Sequence, residues 1–210
     1  MQPSNDGARL YCGDGPNSYR VRIFMAEKGI DLPRVRIDFE KGDHRSREFL
    51  ALNSLGQIPV LVLGDGTVIT ESVAICRYLE ELHPEPPLFG KGAAGRAMVE
   101  MWNRRVELVV MATVGDFAFH TIDFFKDRMT QFPAFGETQR HNAASKWEWL
   151  DRELADGRSF VAGDEFSIAD ITGGVTAWLC EVFQIPWPAS SPNVDRWLER
   201  VRSRPSWSAE

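Results

Sequence analysis

Chemistry first suggests itself where a proline stands at the entrance to a strand. Ile58-Pro59 precedes Val60-Leu61-Val62, and proline, which has no N–H to give to a ladder, is found at strand starts and edges. In the trans form this is an ordinary edge-strand proline. In the cis form the N–H and C=O of Ile58 turn outward and can pair with an extended peptide as an added strand. Thr70-Glu71-Ser72 opens a helical run, and Ser72 suits the N-cap, where its hydroxyl satisfies a free amide of the first turn. The same helix start can take a carboxylate, with Glu71 beside it to hold the ammonium of one amino-acid group. His44 and Lys41 lie in the polar loop Glu40-Lys41-Gly42-Asp43-His44. Such side chains are ordinarily solvated, and either can also clamp a second carboxylate.

Other reactive residue types fit no site of their own. Cys12 ends the first strand pattern, where a free cysteine is commonly a small buried hydrophobe, although a thiol there can form a mixed disulfide. Cys76 and Cys180 fall on apolar helix faces and read as core. His83, His120 and His141 lack metal-ligand spacing, so no metal is expected. There is no glycine-rich phosphate loop and no Gly-x-Ser-x-Gly elbow. The 7 tryptophans and 13 phenylalanines read mostly as helical core.

The elements that must position these residues come in two kinds. A strand at Ala8 to Cys12 and the turn Gly13-Asp14-Gly15-Pro16 lead into a helix from about Asn17, ended by Gly29. Pro33 to Phe39 alternates as a half-buried strand, Ser46 to Leu52 is helical, and residues 57 to 69 form an antiparallel hairpin around Gly64-Asp65-Gly66. A helix from Glu71 to Leu82 completes a βαβ unit followed by ββα. Pro84, Pro86, Pro87, Gly90 and Gly92 break any regular element and mark residues 84–92 as a linker. Beyond it, helical windows cover about 95 to 116, 137 to 154, 168 to 183 and 193 to 201. The reading is thus an α/β domain over 1–83 and an all-helical domain over 93–210.

Composition narrows the function classes. The chain has 210 residues, 43% hydrophobic and 26% charged, which suits a packed core. With 24 basic against 30 acidic residues, net −6, it is not expected to grip nucleic acid by charge. No run approaches the ~18 apolar residues of a membrane span. The segment Met1 to Gly7 has neither a basic patch nor an apolar stretch, and 3 dispersed cysteines suit a reducing compartment, so a cytoplasmic protein is expected.

Taken together, Phe49-Leu50-Ala51-Leu52-Asn53-Ser54-Leu55-Gly56-Gln57-Ile58-Pro59-Val60-Leu61, then Glu71-Ser72-Val73-Ala74-Ile75 with Tyr78-Leu79, resemble in order and spacing the soluble glutathione transferases, and the resemblance runs over essentially the whole chain. Phe166-Ser167-Ile168-Ala169-Asp170-Ile171 resembles the helix-capping element of the family's second half, in which Ser167 and Asp170 cap each other. The resemblance implies a thioredoxin-like first domain, a cis Pro59 and glutathione extended along Ile58. Glu71 and Ser72 would take its γ-glutamyl end, and His44 with Gln57 and Lys41 its glycine end. The thiol would then lie at the start of the first helix, where the dipole favours thiolate.

Family members commonly place Tyr, Ser or Cys beside that thiol. In the register of Arg20-Val21-Arg22-Ile23, Gly15 stands where cysteine-type classes carry Cys, and Gly15-Pro16-Asn17 replaces the Ser-Ser-Cys of zeta-type members. Pro16-Asn17 resembles the Pro-Asn of nu-like bacterial members, although their companion threonine is Gly15 here. Asn17 is therefore the first candidate for the thiolate partner, followed by Ser18 and Tyr11. Met111, Phe117 and Phe119 are candidates for lining the second-substrate pocket. The resemblance implies a homodimer with glutathione as co-substrate. Three activities fit: conjugation to small hydrophobic electrophiles, glutathione-dependent disulfide reduction, and a non-catalytic binding or regulatory role.

Overall fold

The computed structural model describes residues 7–188 and 190–209; the first six residues, which bear on the expectation about a leader, lie outside them. The chain forms two compact units, one comprising the chain up to Leu88 with the final residues from Ser208, the other Phe89–Trp207.

The first unit contains β1 (Arg9–Cys12), α1 (Pro16–Glu27), β2 (Arg34–Arg36), α2 (Arg47–Leu52), β3 (Val60–Val62), β4 (Val68–Thr70) and α3 (Ser72–Leu82). Its sheet has the order β2-β1-β3-β4, with β1 and β2 parallel and β1–β3 and β3–β4 antiparallel. This is the βαβ-ββα order that the sequence pattern predicts and the thioredoxin-like arrangement that the resemblance implies. Leu10 and Leu61 are fully buried, as are Val21, Phe24, Ile75 and Leu79 of α1 and α3. Alternate strand residues Tyr11, Val60 and Val62 join a second cluster with Ile37 and with Phe49 of α2. β2 is shorter than the alternating run Pro33 to Phe39 because acidic side chains pull the chain off the sheet. Asp38 Oδ1 accepts from the N–H of Glu40 and Lys41, and Asp43 Oδ2 accepts from the N–H of Asp38.

Lys28 follows the last residue of α1. Its buried ammonium pairs with Glu80 and donates to the carbonyls of His83, at 2.8 Å, and Pro86. One cation thereby joins the end of α1, the end of α3 and the segment leaving the unit.

The second unit is helical: α4 (Gly92–Arg105), α5 (Ala112–Thr121), α6 (Pro133–Glu153), α7 (Ile168–Val182) and α8 (Pro192–Arg202). The periodic window 95 to 116 is not one regular helix. Val106–Met111 forms a π-helical turn between α4 and α5, an insertion that shifts the face presented by everything beyond it. α6 starts at Pro133, before the expected residue 137, since a proline at the first helical position forfeits no hydrogen bond. α7 is buried over most of its length and begins with the Ser167–Asp170 capping box. Asp170 accepts from the N–H of Val161 (2.7 Å) and Ser167 (2.9 Å), Ser167 Oγ (2.9 Å) and Trp197 Nε1 (2.8 Å). Burial pushes its carboxyl pKa up, and these donors pull it back. A Cβ on Gly173 would come within 2.7 Å of the Trp197 ring.

Candidate functional site

The strand registers gather the predicted residues at one end of the first unit's sheet. Tyr11 pairs with Val60, and Val60 with Thr70. The chain just past β1, just before β3 and just past β4 therefore emerges side by side, bringing Gly13, Ile58-Pro59 and Glu71-Ser72 together. The Ile58-Pro59 bond is cis, and Ile58 lies outside the β3 ladder, which begins at Val60.

Gly13 is held tightly at this junction. A Cβ on it would lie 2.9 Å from Ile58 Cδ1 and 3.0 Å from the Ile37 carbonyl oxygen. Its N–H donates to Ser18 Oγ (3.3 Å) and its carbonyl accepts from Arg22 Nη1 (2.8 Å). The turn then enters α1 with Gly15 as N-cap, no side-chain cap, Pro16 in the first turn and no acidic residue there. The N–H groups of the first turn have no acceptor within the helix, so this end of α1 favours an anion.

The candidate thiolate partners separate at this turn. Asn17 is exposed on the first turn of α1. Ser18 is completely buried, and its oxygen accepts from Gly13, so it closes the turn from inside and does not face outward. The Tyr11 ring is half-buried, 6.3 Å from that of Phe49. Cys12 is buried, and burial raises its thiol pKa against the opposing field of Arg22. Burial also raises the pKa of Cys76, and that of Cys180 to about 11. All three cysteines are free thiols.

Gln57, His44 and Ile58 are neighbours through the loop between α2 and β3. Asn53 Nδ2 donates to the Gln57 carbonyl at 2.8 Å, and the Asn53 side-chain oxygen accepts from Leu55 N–H at 3.1 Å. Gly56 takes φ 63°, and a Cβ there would lie 2.9 Å from the His44 carbonyl oxygen and 3.4 Å from Arg45 Nη1. Gln57 is exposed, whereas His44 is 5% exposed with its ring stacked on Phe39 at 4.2 Å. The exposed Lys41 ammonium lies 3.2 Å from the Asp38 carboxylate, as expected of a solvated loop pair. Arg45 is an exposed cation at this loop that the sequence reading passed over; its only signal was adjacency to His44.

At the start of α3 the N-cap differs from the expectation. The N-cap is Glu71, at φ 64° and ψ 117° and without a side-chain cap. Ser72 is the first helical residue, because the positive-φ turn at Glu71 starts the helix one residue earlier than a serine cap requires. Ser72 Oγ accepts from Arg20 Nη1 at 2.8 Å. Arg20 is 1% exposed; the sequence reading used it only as a register marker, since a buried cation on a helix has no local signature.

In the helical unit, Met111 ends the π-turn half-buried, and Phe119 is 44% exposed with its ring edge-on to Phe125 at 4.9 Å. Phe117 is 7% exposed and sits on the buried face of α5, two positions from the exposed Phe119. Among the described residues no group of three or more His, Cys, Asp and Glu could hold a metal ion, and no helix is long and apolar enough to cross a membrane.

Models of the glutathione S-transferase N-terminal and C-terminal domains match residues 15–82 and 133–200. Glutathione S-transferase 2 of Saccharomyces cerevisiae is 35% identical over 196 residues, 91% of this chain and 84% of its own length. The chain belongs to the soluble glutathione transferase superfamily. Solved glutathione transferases share its fold over nearly the full length. A glutathione S-transferase domain-containing protein of Marinobacter aquaeolei VT8 superposes with TM-score 0.89 at 36% identity, covering 94% of this chain and 98% of the other. Gtt2 of Saccharomyces cerevisiae superposes with TM-score 0.87 at 34% identity, covering 94% and 97%. The transferase N-terminal match spans Gly15, Asn17, Ile58, Glu71 and Ser72.

Proposed function

We propose that the chain is a glutathione transferase that binds glutathione as its thiolate and conjugates it to small hydrophobic electrophiles. The observation that carries this reading is the shared sheet end: an unladdered Ile58 main chain, Glu71-Ser72 on one side and the N-terminus of α1, which has no side-chain cap, on the other. Ile58 pairs with the cysteinyl main chain of the tripeptide. Glu71 takes the ammonium and Ser72 the carboxylate of the γ-glutamyl end, and Gln57, His44 and Lys41 attend the glycine end.

The sulfur lies at the first turn of α1, with the Asn17 amide beside it. A free thiol has a pKa of about 8.5, and each unit by which the amides lower it is worth about 1.4 kcal/mol in favour of the nucleophile. The proton passes to solvent, the sulfur attacks the electrophilic carbon, and the leaving group departs with the bond electrons. Rate comes from thiolate population and proximity, without a general base. Residues 1–83 act as the glutathione-binding part, 84–92 as the connection, and 93–210 supply the second-substrate walls, with half-buried Met111 and exposed Phe119 contributing apolar surface. A cytoplasmic homodimer completes the reading.

The test pairs glutathione calorimetry with turnover of a chloronitroaromatic acceptor. Asn17→Ala should lose most of its turnover and little glutathione affinity; unchanged turnover removes Asn17 from the mechanism. Absence of glutathione binding by the wild type sinks the enzyme reading and leaves a non-catalytic role for the fold. Burial of all three cysteines with raised thiol pKa favours one second reading, glutathione-dependent disulfide reduction in which both attacking thiols come from glutathione. Turnover of hydroxyethyl disulfide exceeding that of the chloronitroaromatic would select it.

A further inference from the structure

Arg20 lies within α1 and is almost entirely removed from water. Taking a guanidinium out of water is costly unless its donors find partners. Holding α1 against α3 does not need it, since Val21, Phe24, Ile75 and Leu79 already bury apolar surface there. Its Nη1 instead reaches across 52 residues of sequence to Ser72 Oγ, at 2.8 Å.

A serine hydroxyl has one proton and two lone pairs. With one lone pair of Ser72 occupied by a cation, the hydroxyl can turn its proton toward a ligand. It offers it from the first position of α3, where N–H groups lack intrahelical acceptors and neither a first-turn acid nor a side-chain cap competes. Beside the Glu71 carboxylate, which suits an ammonium, the hydroxyl proton, the helix amides and the guanidinium behind them supply donors and positive charge. Such a set matches a carboxylate.

We propose that Arg20 is a positioning residue for the anionic end of glutathione, orienting the Ser72 hydroxyl and the α3 amides onto the α-carboxylate of the γ-glutamyl group. This rests on the glutathione reading above. A neutral anchor would hold Ser72 equally well in place, but only a cation adds its field to that of the donors in a site poor in water.

The test compares two ligands by competition against glutathione turnover: glutathione itself, and the analogue in which γ-aminobutyrate replaces γ-glutamate, so that the α-carboxylate alone is missing. The wild type should prefer glutathione by about tenfold or more, the worth of a charged hydrogen bond. Arg20→Gln should reduce this preference to about twofold, and Ser72→Ala should do the same, with affinity for the analogue unchanged in both. Arg20→Lys keeps the charge with a different reach and should fall between, at about threefold; it carries the test if Arg20→Gln does not fold. A purely structural role lowers affinity for both ligands in parallel, and that result overturns the proposal. If the wild type prefers glutathione and the Arg20 variants keep that preference, Arg20 alone is eliminated. If the wild type binds neither ligand, the glutathione reading fails and this proposal with it.

Discussion

Glu71 should behave in opposite ways in assays of stability and of binding. At φ 64° and ψ 117°, it occupies a region that costs an L-residue roughly 1–3 kcal/mol. Glycine removes the Cβ responsible and costs roughly 0.5–1 kcal/mol through the freer unfolded chain. Glu71→Gly should therefore gain about 1 kcal/mol, or about 2–4 °C in Tm for a chain of this size. Glu71→Ala keeps the Cβ and the strain, and because the glutamate makes no cap hydrogen bond its stability should match the wild type. Both variants should lose glutathione affinity, by about tenfold or more, as expected for a missing charge-assisted contact to the ammonium. Urea unfolding followed by circular dichroism measures the first quantity and calorimetry the second. If Glu71→Gly is no more stable than Glu71→Ala, the backbone argument is wrong. If both bind glutathione as well as the wild type does, the placement of the γ-glutamyl end is wrong.

Asp170→Ala strands the buried N–H donors of Val161, Ser167 and Trp197, at about 1–3 kcal/mol each. Thermal unfolding should register a loss of about 4 kcal/mol, softened by removal of a buried carboxyl, and a loss under about 1 kcal/mol would refute this. The Cys180 thiol pKa rises from 9.0 unfolded to about 11 folded, so above pH 9 the folded chain retains a proton that the unfolded chain has released. Stability from this group is full below pH 9 and is lost as pH rises towards 11, by about 1 kcal/mol at pH 10; Cys180→Ala should flatten that part of the pH–stability curve. Alkylation of native protein at pH 7.5 (about 1 unit below a free thiol) should be slow at all three cysteines, and one fast thiol would contradict their burial. Gly13→Ala places a Cβ 2.9 Å from the movable Ile58 side chain and 3.0 Å from the Ile37 carbonyl, and urea unfolding should show a loss of about 1–3 kcal/mol.

The elements were readable wherever local chemistry and tertiary packing agree. The hairpin around Gly64-Asp65-Gly66, the proline-opened strand and the Ser167–Asp170 box all carry their own punctuation, and β3, β4 and α7 form there. Loss of legibility began where a side chain's direction depends on distant partners. Ser18 and Asn17 are adjacent polar residues at one helix start, and only the bond from Gly13 decides that one turns inward. Arg20 resembles any solvated helix arginine until Ser72 arrives from 52 residues away. Likewise nothing in Val106 to Met111 announces a π-turn, so the faces of Phe117 and Phe119 beyond it could not be phased from periodicity. Ser72 looked like a cap because cap preference is a statement about composition, whereas the cap position follows from the twist at Glu71.

The Lys28 junction defines which pieces of this chain can be cut out and moved. A fragment ending at Leu82, where α3 stops, would leave the buried ammonium only its Glu80 partner and strip away the carbonyls of His83 and Pro86. One ending at Leu88 carries all three acceptors with it. In a chimera that joins this first unit to a foreign helical unit, the graft point therefore belongs after Pro86. Lys28 and Glu80 must also be inherited as a pair, because exchanging either alone leaves a charge buried without its counterpart.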